Sequence, residues 1–92
     1  MIKRSRLFGA KTRITFSLPT DEPSGVVSVV GSFNGWTPGS HELVPRRDGT
    51  RSVSVTLAAG EHRFRYLCSD GVWFDDPAAD TVDSDSGVLN VE

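Results

Sequence analysis

The sequence predicts an all-β domain, an antiparallel sandwich of two sheets. Apolar and polar residues alternate with a period of two in several short runs, which is the pattern of half-buried strands. Tight-turn dipeptides such as Asp-Gly separate these runs, and no stretch of ten residues has the apolar spacing of an amphipathic helix. At 92 residues the chain has room for one domain with a thin core, and this leaves little space for a deep catalytic cleft.

Five runs have the strand pattern, and each buries one face. The predicted strands are residues 12–18, 26–33, 52–57, 62–68 and 87–91. Their inward side chains are predicted to be Ile14, Phe16, Leu18, Val27, Val29, Phe33, Val53, Val55, Leu57, Phe64, Tyr66, Cys68, Leu89 and Val91. Asp48-Gly49 predicts a hairpin between 43–47 and 51–57, and Asp70-Gly71 predicts another before Val72-Trp73-Phe74. Segments 19–25 and 75–86 are rich in Pro, Asp, Ser and Gly and are predicted to be loops.

Charge divides the chain into a basic N-terminal segment, 1–11, and a single domain, 12–92. Five of the ten Lys and Arg residues lie among the first thirteen residues, and no Lys or Arg follows Arg65. We expect the two oppositely charged ends to attract each other across the small fold. The net charge of −2 argues against a domain that binds nucleic acid through a broad basic surface.

The single cysteine, Cys68, excludes an internal disulfide and a zinc site built from several cysteines. The N-terminus has charged residues without the apolar run of a signal peptide, and no stretch reaches the roughly 18 apolar residues of a membrane span. We therefore expect a complete cytoplasmic protein that does not contact a membrane.

Residues that could support catalysis or metal binding do not form a known motif. His41 and His62 stand alone, and no phosphate-binding loop, dinucleotide fingerprint or Gly-x-Ser-x-Gly elbow is present. The run from Asp83 to Gly87 lacks the fifth oxygen ligand and sixth-position glycine of a calcium loop. Adjacent Asp75 and Asp76 would point to opposite faces of an extended chain rather than converge on a glycosidic bond. The sequence thus predicts no catalytic residue, no metal ion and no cofactor.

Two tryptophans lie beside turns and outside the alternating core residues. Trp36 follows Phe33-Asn34-Gly35, and Trp73 follows the Asp70-Gly71 turn. Tryptophan is buried in most proteins, but these two positions predict a flat exposed surface with the outward-facing Arg65 at its edge. Such a surface suits the C–H face and the hydroxyls of a sugar, and it would also stack a nucleobase or anchor a protein partner. The residues alone leave these three ligands open.

A set of motifs in a fixed order resembles a known family. The motifs are Gly31-Ser32-Phe33-Asn34-Gly35-Trp36, Gly60-Glu61-His62-Arg63-Phe64-Arg65-Tyr66, Asp70-Gly71-Val72-Trp73, Asp76-Pro77 and Gly87-Val88-Leu89-Asn90-Val91. Over residues 12–91 the chain resembles the glycogen-binding, isoamylase N-terminal-like early-set domains of carbohydrate-binding module family 48. Members occur in branching and debranching enzymes and in the β subunit of AMP-activated protein kinase.

The resemblance implies an immunoglobulin-like β-sandwich that binds an α-1,4-glucan, either a polysaccharide or a maltooligosaccharide, without cleaving it. It implies that Trp36 and Trp73 stack on glucose units and that Arg65 takes the place of a lysine that donates to sugar hydroxyls. Asn90 corresponds to the asparagine of the closing strand. The resemblance also makes a glycogen-metabolising enzyme a candidate partner.

The chain departs from the family pattern at a few positions. Where the family has a lysine with a compact ammonium group, Arg65 has a planar guanidinium group with several N–H donors. Ser69 is one extra residue before Asp70, and Ser86 and Val88 stand where the family has a leucine and a threonine that touch sugar. The sequence therefore leaves one alternative open, a protein-interaction or structural early-set domain that has lost sugar binding.

Overall fold

The computed structural model describes residues 2–7, 9, 11–21, 25–83 and 86–91. Within these residues the chain forms nine β-strands and one short 3₁₀-helix, so the all-β prediction is confirmed. The strands are β1 (Ile2–Arg6), β2 (Lys11–Pro19), β3 (Val27–Gly31), β4 (Val44–Pro45), β5 (Thr50–Ala58), β6 (Gly60–Cys68), β7 (Trp73–Phe74), β8 (Thr81–Val82) and β9 (Gly87–Val91), and the 3₁₀-helix is Ser32–Asn34. None of the helical structure described has the length and hydrophobicity of a membrane span.

The strands form two antiparallel sheets. The first sheet has the order β1-β2-β5-β4, and the second has the order β3-β6-β9-β8, with β7 paired to β6. The predicted Asp48-Gly49 and Asp70-Gly71 hairpins are present as the β4–β5 and β6–β7 connections. This arrangement is the two-sheet sandwich that the strand pattern predicts, and it agrees with the immunoglobulin-like β-sandwich that the family resemblance implies.

The core lies between the two sheets. Phe16 of the first sheet packs on Phe64 of the second with ring centroids 4.9 Å apart, and it meets Tyr66 edge-on at 6.3 Å. Every side chain predicted to point inward belongs to the core cluster or packs against it. The alternation with a period of two therefore identified the buried face of each long strand.

The end of β3 differs from the prediction of a strand over 26–33. The strand stops at Gly31, and Phe33 reaches the core from the 3₁₀-helix instead. A side chain at Gly31 would collide with the Arg63 carbonyl and the Phe64 side chain. Glycine here lets β3 lie close against β6 where the chain turns away from the sheet.

Two further strands lie in segments for which the sequence predicted none. β1 extends the first sheet from the basic N-terminal segment, with Ile2 opposite Phe16 in β2. Arg4 of β1 donates to Asp80 Oδ1 at 2.7 Å and to the Asn90 carbonyl at 3.2 Å, so the basic and acidic ends of the chain do meet. The predicted loop 75–86 contains β8, which pairs with β9. The division into 1–11 and 12–92 remains a prediction.

Candidate functional site

The outer face of the second sheet carries most of the residues singled out in the sequence. Because the inward residues of β6 are Phe64, Tyr66 and Cys68, the residues between them face outward. Residues directly opposite each other on antiparallel strands share a face. We call this surface the outer face, and its described strand residues are Ser28, Val30, Glu61, Arg63, Arg65, Leu67, Trp73, Thr81, Val88 and Asn90.

Trp73 is exposed at the start of β7, with 41% of its surface accessible. The turn before it is closed by hydrogen bonds from the Val72 amide to Asp70 Oδ1 at 3.2 Å and from the Cys68 amide to the Val72 carbonyl at 2.9 Å. Gly71 has a φ of +88°, which a residue with a side chain rarely adopts. The Asp-Gly turn therefore presents the indole on the outer face opposite Leu67.

Arg65 lies beside this indole. Its guanidinium carbon is 6.0 Å from the centroid of the Trp73 ring, and its Nε donates to Asp75 Oδ1 at 3.1 Å. The carboxylate and the ring together restrict a side chain that is otherwise flexible. Within the described part of the chain Nε is the guanidinium nitrogen with a hydrogen-bond partner, and the side chain is 29% exposed. The structure thus brings Trp73 and Arg65 together.

Trp36 is exposed to 43% and lies in a tight loop after the 3₁₀-helix. Its backbone φ is +57°, and among the described residues it is the one non-glycine with a positive φ. A bulky residue in this left-handed region is strained. The Trp36 amide donates to the Gly31 carbonyl at 2.9 Å, which places the loop at the end of β3.

Asn34 holds that loop in shape. Its Oδ1 accepts from the Gly31 amide at 3.0 Å, and its Nδ2 donates to the Val29 carbonyl at 3.0 Å and lies 2.9 Å from His41 Nδ1. His41 therefore contributes to the loop that carries Trp36. This role of Asn34 was not predicted from the sequence, although its position two residues before a turn-borne tryptophan was a signal for it.

Asn90 lies on the outer face but away from Trp73. It pairs with Glu61, four residues along β6 from Arg65, which is a separation of about 13 Å along the strand. Its backbone amide donates to Asp80 Oδ2 at 2.7 Å. The structure thus places the four candidate residues around one sheet, with Trp73 and Arg65 adjacent and Asn90 toward the other end of β6.

Arg63 lies between these two ends of the outer face. It pairs with Val88 of β9, and its Nη1 donates to Asp83 Oδ2 at 2.5 Å and to Ser86 Oγ at 3.3 Å. Ser86 is buried, so its hydroxyl serves this contact rather than the surface. Two of the positions at which the chain departs from the family pattern, Ser86 and Val88, therefore contact or pair with Arg63.

The two adjacent carboxylates face different parts of the molecule. Asp75 accepts from Arg65 on the outer face, whereas the buried Asp76 accepts from the Tyr66 hydroxyl at 2.6 Å and from the Ala78 amide at 2.8 Å. Burial, followed by the neighbouring Asp76 carboxylate, raises the pKa of Tyr66 far above its usual value. Asp75 positions an outer-face donor, and Asp76 anchors the chain after β7 to the core.

Among the described residues, the remaining acidic and histidine side chains do not gather around a common centre. Within the part of the chain described, no three His, Cys, Asp or Glu side chains are grouped as ligands for a metal ion. His62 Nε2 donates to the Ala58 carbonyl at 2.8 Å, a local contact at the β5–β6 turn. Ser84 and Asp85, in the acidic run compared with a calcium loop, lie outside the described residues.

Comparison with known protein families identifies the family to which the chain belongs. Residues 12–91 match the family described as the glycogen recognition site of AMP-activated protein kinase. The match and the β-sandwich place the chain among the carbohydrate-binding modules, a non-catalytic class of domain. The chain belongs to this glycogen recognition family, and the resemblance seen in its motifs is confirmed.

One similar protein comes from rice. Protein FLOURY ENDOSPERM 6, chloroplastic, from Oryza sativa subsp. japonica is 33% identical over 70 residues, a stretch that covers 75% of this chain and 13% of that protein. This chain therefore spans a small part of the length of that relative.

Proposed function

We propose that this domain binds α-1,4-glucans without cleaving them and that Trp36 and Trp73 stack on glucose units. The observation that supports this most directly is the exposure of both indoles, at 43% and 41%. Every other aromatic residue among those described lies in the core or packs against it. A small domain that leaves its two largest side chains exposed has a surface suited to binding the C–H faces of sugar rings.

The polar groups around Trp73 suit a neutral sugar. The Nη groups of Arg65 are donors for hydroxyls at the edge of a stacked ring, and Asp75 keeps the guanidinium in place. Asn90, farther along the outer face, would contact a different glucose unit of the same chain. We therefore expect longer oligosaccharides to bind better, with micromolar to millimolar affinity because an open surface buries little of the ligand.

The positions of Asp75 and Asp76 support binding without hydrolysis. Retaining glycosidases need two carboxyl groups about 5 Å apart that face one sugar, and inverting enzymes need a wider pair around a water molecule. Here Asp75 contacts Arg65 on the outer face and Asp76 contacts Tyr66 in the core. We propose a supporting role in the cytoplasm, in which the domain brings a glycogen-metabolising enzyme to its polymer.

Affinity electrophoresis in a gel that contains glycogen tests the proposal. The wild-type domain should be retarded, whereas Trp36→Ala and Trp73→Ala should migrate close to their positions in a gel without glycogen. Val44→Ala is the matched control because Val44 is also exposed but lies on the first sheet, and its retardation should equal that of the wild type. Absence of retardation for the folded wild type would contradict the proposal and favour an interaction domain without sugar binding.

A further inference from the structure

We propose that a groove beside Trp73 is an additional hexose subsite, in which Glu42 accepts hydrogen bonds from sugar hydroxyls. This inference rests on the proposed glucan-binding function. The groove has a volume of about 510 Å³ and lies between segment 37–42, which follows Trp36, and turn 69–71, which precedes Trp73. Small-ligand sites commonly have volumes of about 300–1,000 Å³.

The register of the second sheet places the groove in line with the Trp73 indole. Glu42 forms an isolated bridge with Ser28, Ser28 pairs with Leu67, and Leu67 pairs with Trp73. Because directly opposite residues share a face, these four residues form one row across the outer face. Three steps of about 4.8 Å between neighbouring strands separate Glu42 from Trp73 by about 14 Å.

Backbone hydrogen bonds keep Glu42 in this row. The Val29 amide donates to the His41 carbonyl at 2.8 Å, and the Leu43 amide donates to the Val27 carbonyl at 2.9 Å. These bonds hold the residues on both sides of Glu42 against β3. The backbone of Glu42 therefore has a defined place at one wall of the groove, and its side chain is exposed.

The lining of the groove combines the two kinds of group that a sugar requires. The apolar residues Leu67 and Pro38, which suit the C–H face of a ring, line the groove together with the hydroxyl-bearing residues Ser28 and Ser69. The Glu42 carboxylate can accept from two hydroxyls at once, and hydrogen bonds to an ionised acceptor are stronger than neutral ones.

The charge at the groove selects against other ligands. An anionic ligand would be repelled by Glu42, and a purely apolar ligand would remove water from its carboxylate without replacing the lost hydrogen bonds. A neutral ligand rich in hydroxyls is not repelled by Glu42, and its hydroxyls can replace the hydrogen bonds that the carboxylate loses with water. A hexose is thus the class of ligand that fits this lining, and a glucan stacked on Trp73 would supply one along the row.

Ser69 gives the groove its end wall. This residue is the one extra residue before Asp70, and its amide donates to the Val26 carbonyl at 2.9 Å. The bond ties the turn before Trp73 to the chain that enters β3. The insertion therefore shapes a surface next to the predicted stacking platform, which gives it a role in ligand binding.

An NMR titration with maltoheptaose tests the subsite. We expect the amide signals of Ser28, Gly39 and Ser69 to shift together with the Trp73 indole N–H, all with the same dissociation constant. Glu42→Gln should weaken maltoheptaose binding about tenfold, because an ionised acceptor is replaced by a neutral amide. The matched control Asp21→Asn removes an exposed carboxylate that follows β2 and is not part of the groove lining, and it should leave the dissociation constant within twofold.

The outcomes separate this inference from the proposed function. If the Trp73 indole shifts while the groove amides and the affinity of Glu42→Gln stay unchanged, glucan binding stands and the subsite is wrong. Shifts in the groove amides with no effect of Glu42→Gln would overturn the role of Glu42. If no signal moves in the folded wild type, the proposed function fails together with the subsite.

Discussion

The strained backbone of Trp36 leads to a prediction that can be measured by comparing two substitutions at one position. Trp36→Ala and Trp36→Gly both remove the indole, so they differ only in their ability to adopt the left-handed backbone. Trp36 has a φ of +57° and follows Gly35, which has a φ of +65°. We expect Trp36→Gly to be the more stable variant, which reverses the usual order of alanine and glycine.

The size of the difference follows from two opposing terms. An L-residue in the left-handed region costs about 1–2 kcal/mol, a cost that glycine avoids. Glycine loses about 0.4–1 kcal/mol relative to alanine because its unfolded chain has more conformations. The balance makes Trp36→Gly more stable than Trp36→Ala by about 0.5–1 kcal/mol, which is several degrees in Tm for a domain of this size.

Thermal unfolding followed by circular dichroism measures the difference, with Thr37 as the control position. Thr37 is exposed and lacks a positive φ, so Thr37→Ala should be more stable than Thr37→Gly. If Trp36→Ala equals or exceeds Trp36→Gly in Tm, the reasoning about backbone strain is refuted. Both Trp36 variants should lose retardation in glycogen gels to the same extent, because binding depends on the indole and stability depends on the backbone.

The remaining predictions concern the core, the thiol and the ends of the chain. Phe64→Ala should lower the free energy of unfolding by about 3–5 kcal/mol because its ring is buried, whereas Ser54→Ala on the outward side of the first sheet should change it by less than about 0.5 kcal/mol. Equal urea midpoints for these two variants would contradict the assignment of faces. Burial raises the pKa of the Cys68 thiol, so a thiol reagent should label it slowly in the folded protein and rapidly in urea; rapid native labelling would place the side chain outside the core. The hydrogen bond from Arg4, helped by the Asn90 amide, lowers the pKa of Asp80, so its contribution to stability is present above the unfolded pKa of 3.8 and is lost as the pH falls through the lower folded pKa. Asp80→Asn should therefore cost less than about 1 kcal/mol at pH 7 and progressively less below pH 3.8, and a cost that does not change with pH would contradict this coupling.

The long strands could be predicted because one face of each is buried. Along β6 the buried residues Phe64, Tyr66 and Cys68 alternate with the outward-facing Arg63, Arg65 and Leu67. β1 could not be predicted in this way, because an edge strand rich in Lys and Arg carries little apolar pattern. The backbone of β1 pairs with β2, and its Arg4 side chain donates to Asp80, which is 76 residues away in sequence. Burial on the opposite side of a sheet could not be predicted from alternation either. The register of β3 puts Val30 on the outer face, and yet its side chain is fully buried.

The exposure of the two tryptophans could be predicted from their places beside turns. The geometry that presents them could not, because it depends on contacts between segments that are separate in sequence. Asn34 bonds back to β3 to shape the loop of Trp36, and Asp75 reaches across to Arg65. The alignment of Glu42 with Trp73 passes through two other strands, and only the register of the folded sheet reveals it.

The indole N–H resonances of Trp36 and Trp73 provide the most direct test of glucan binding. Titration with maltoheptaose should shift both signals, and the shifts should persist at high salt because a neutral ligand releases no counterions. A β-1,4-linked cello-oligosaccharide of similar length should leave both signals in place. If millimolar maltoheptaose moves neither indole signal in a folded sample, these tryptophans are not a glucan platform.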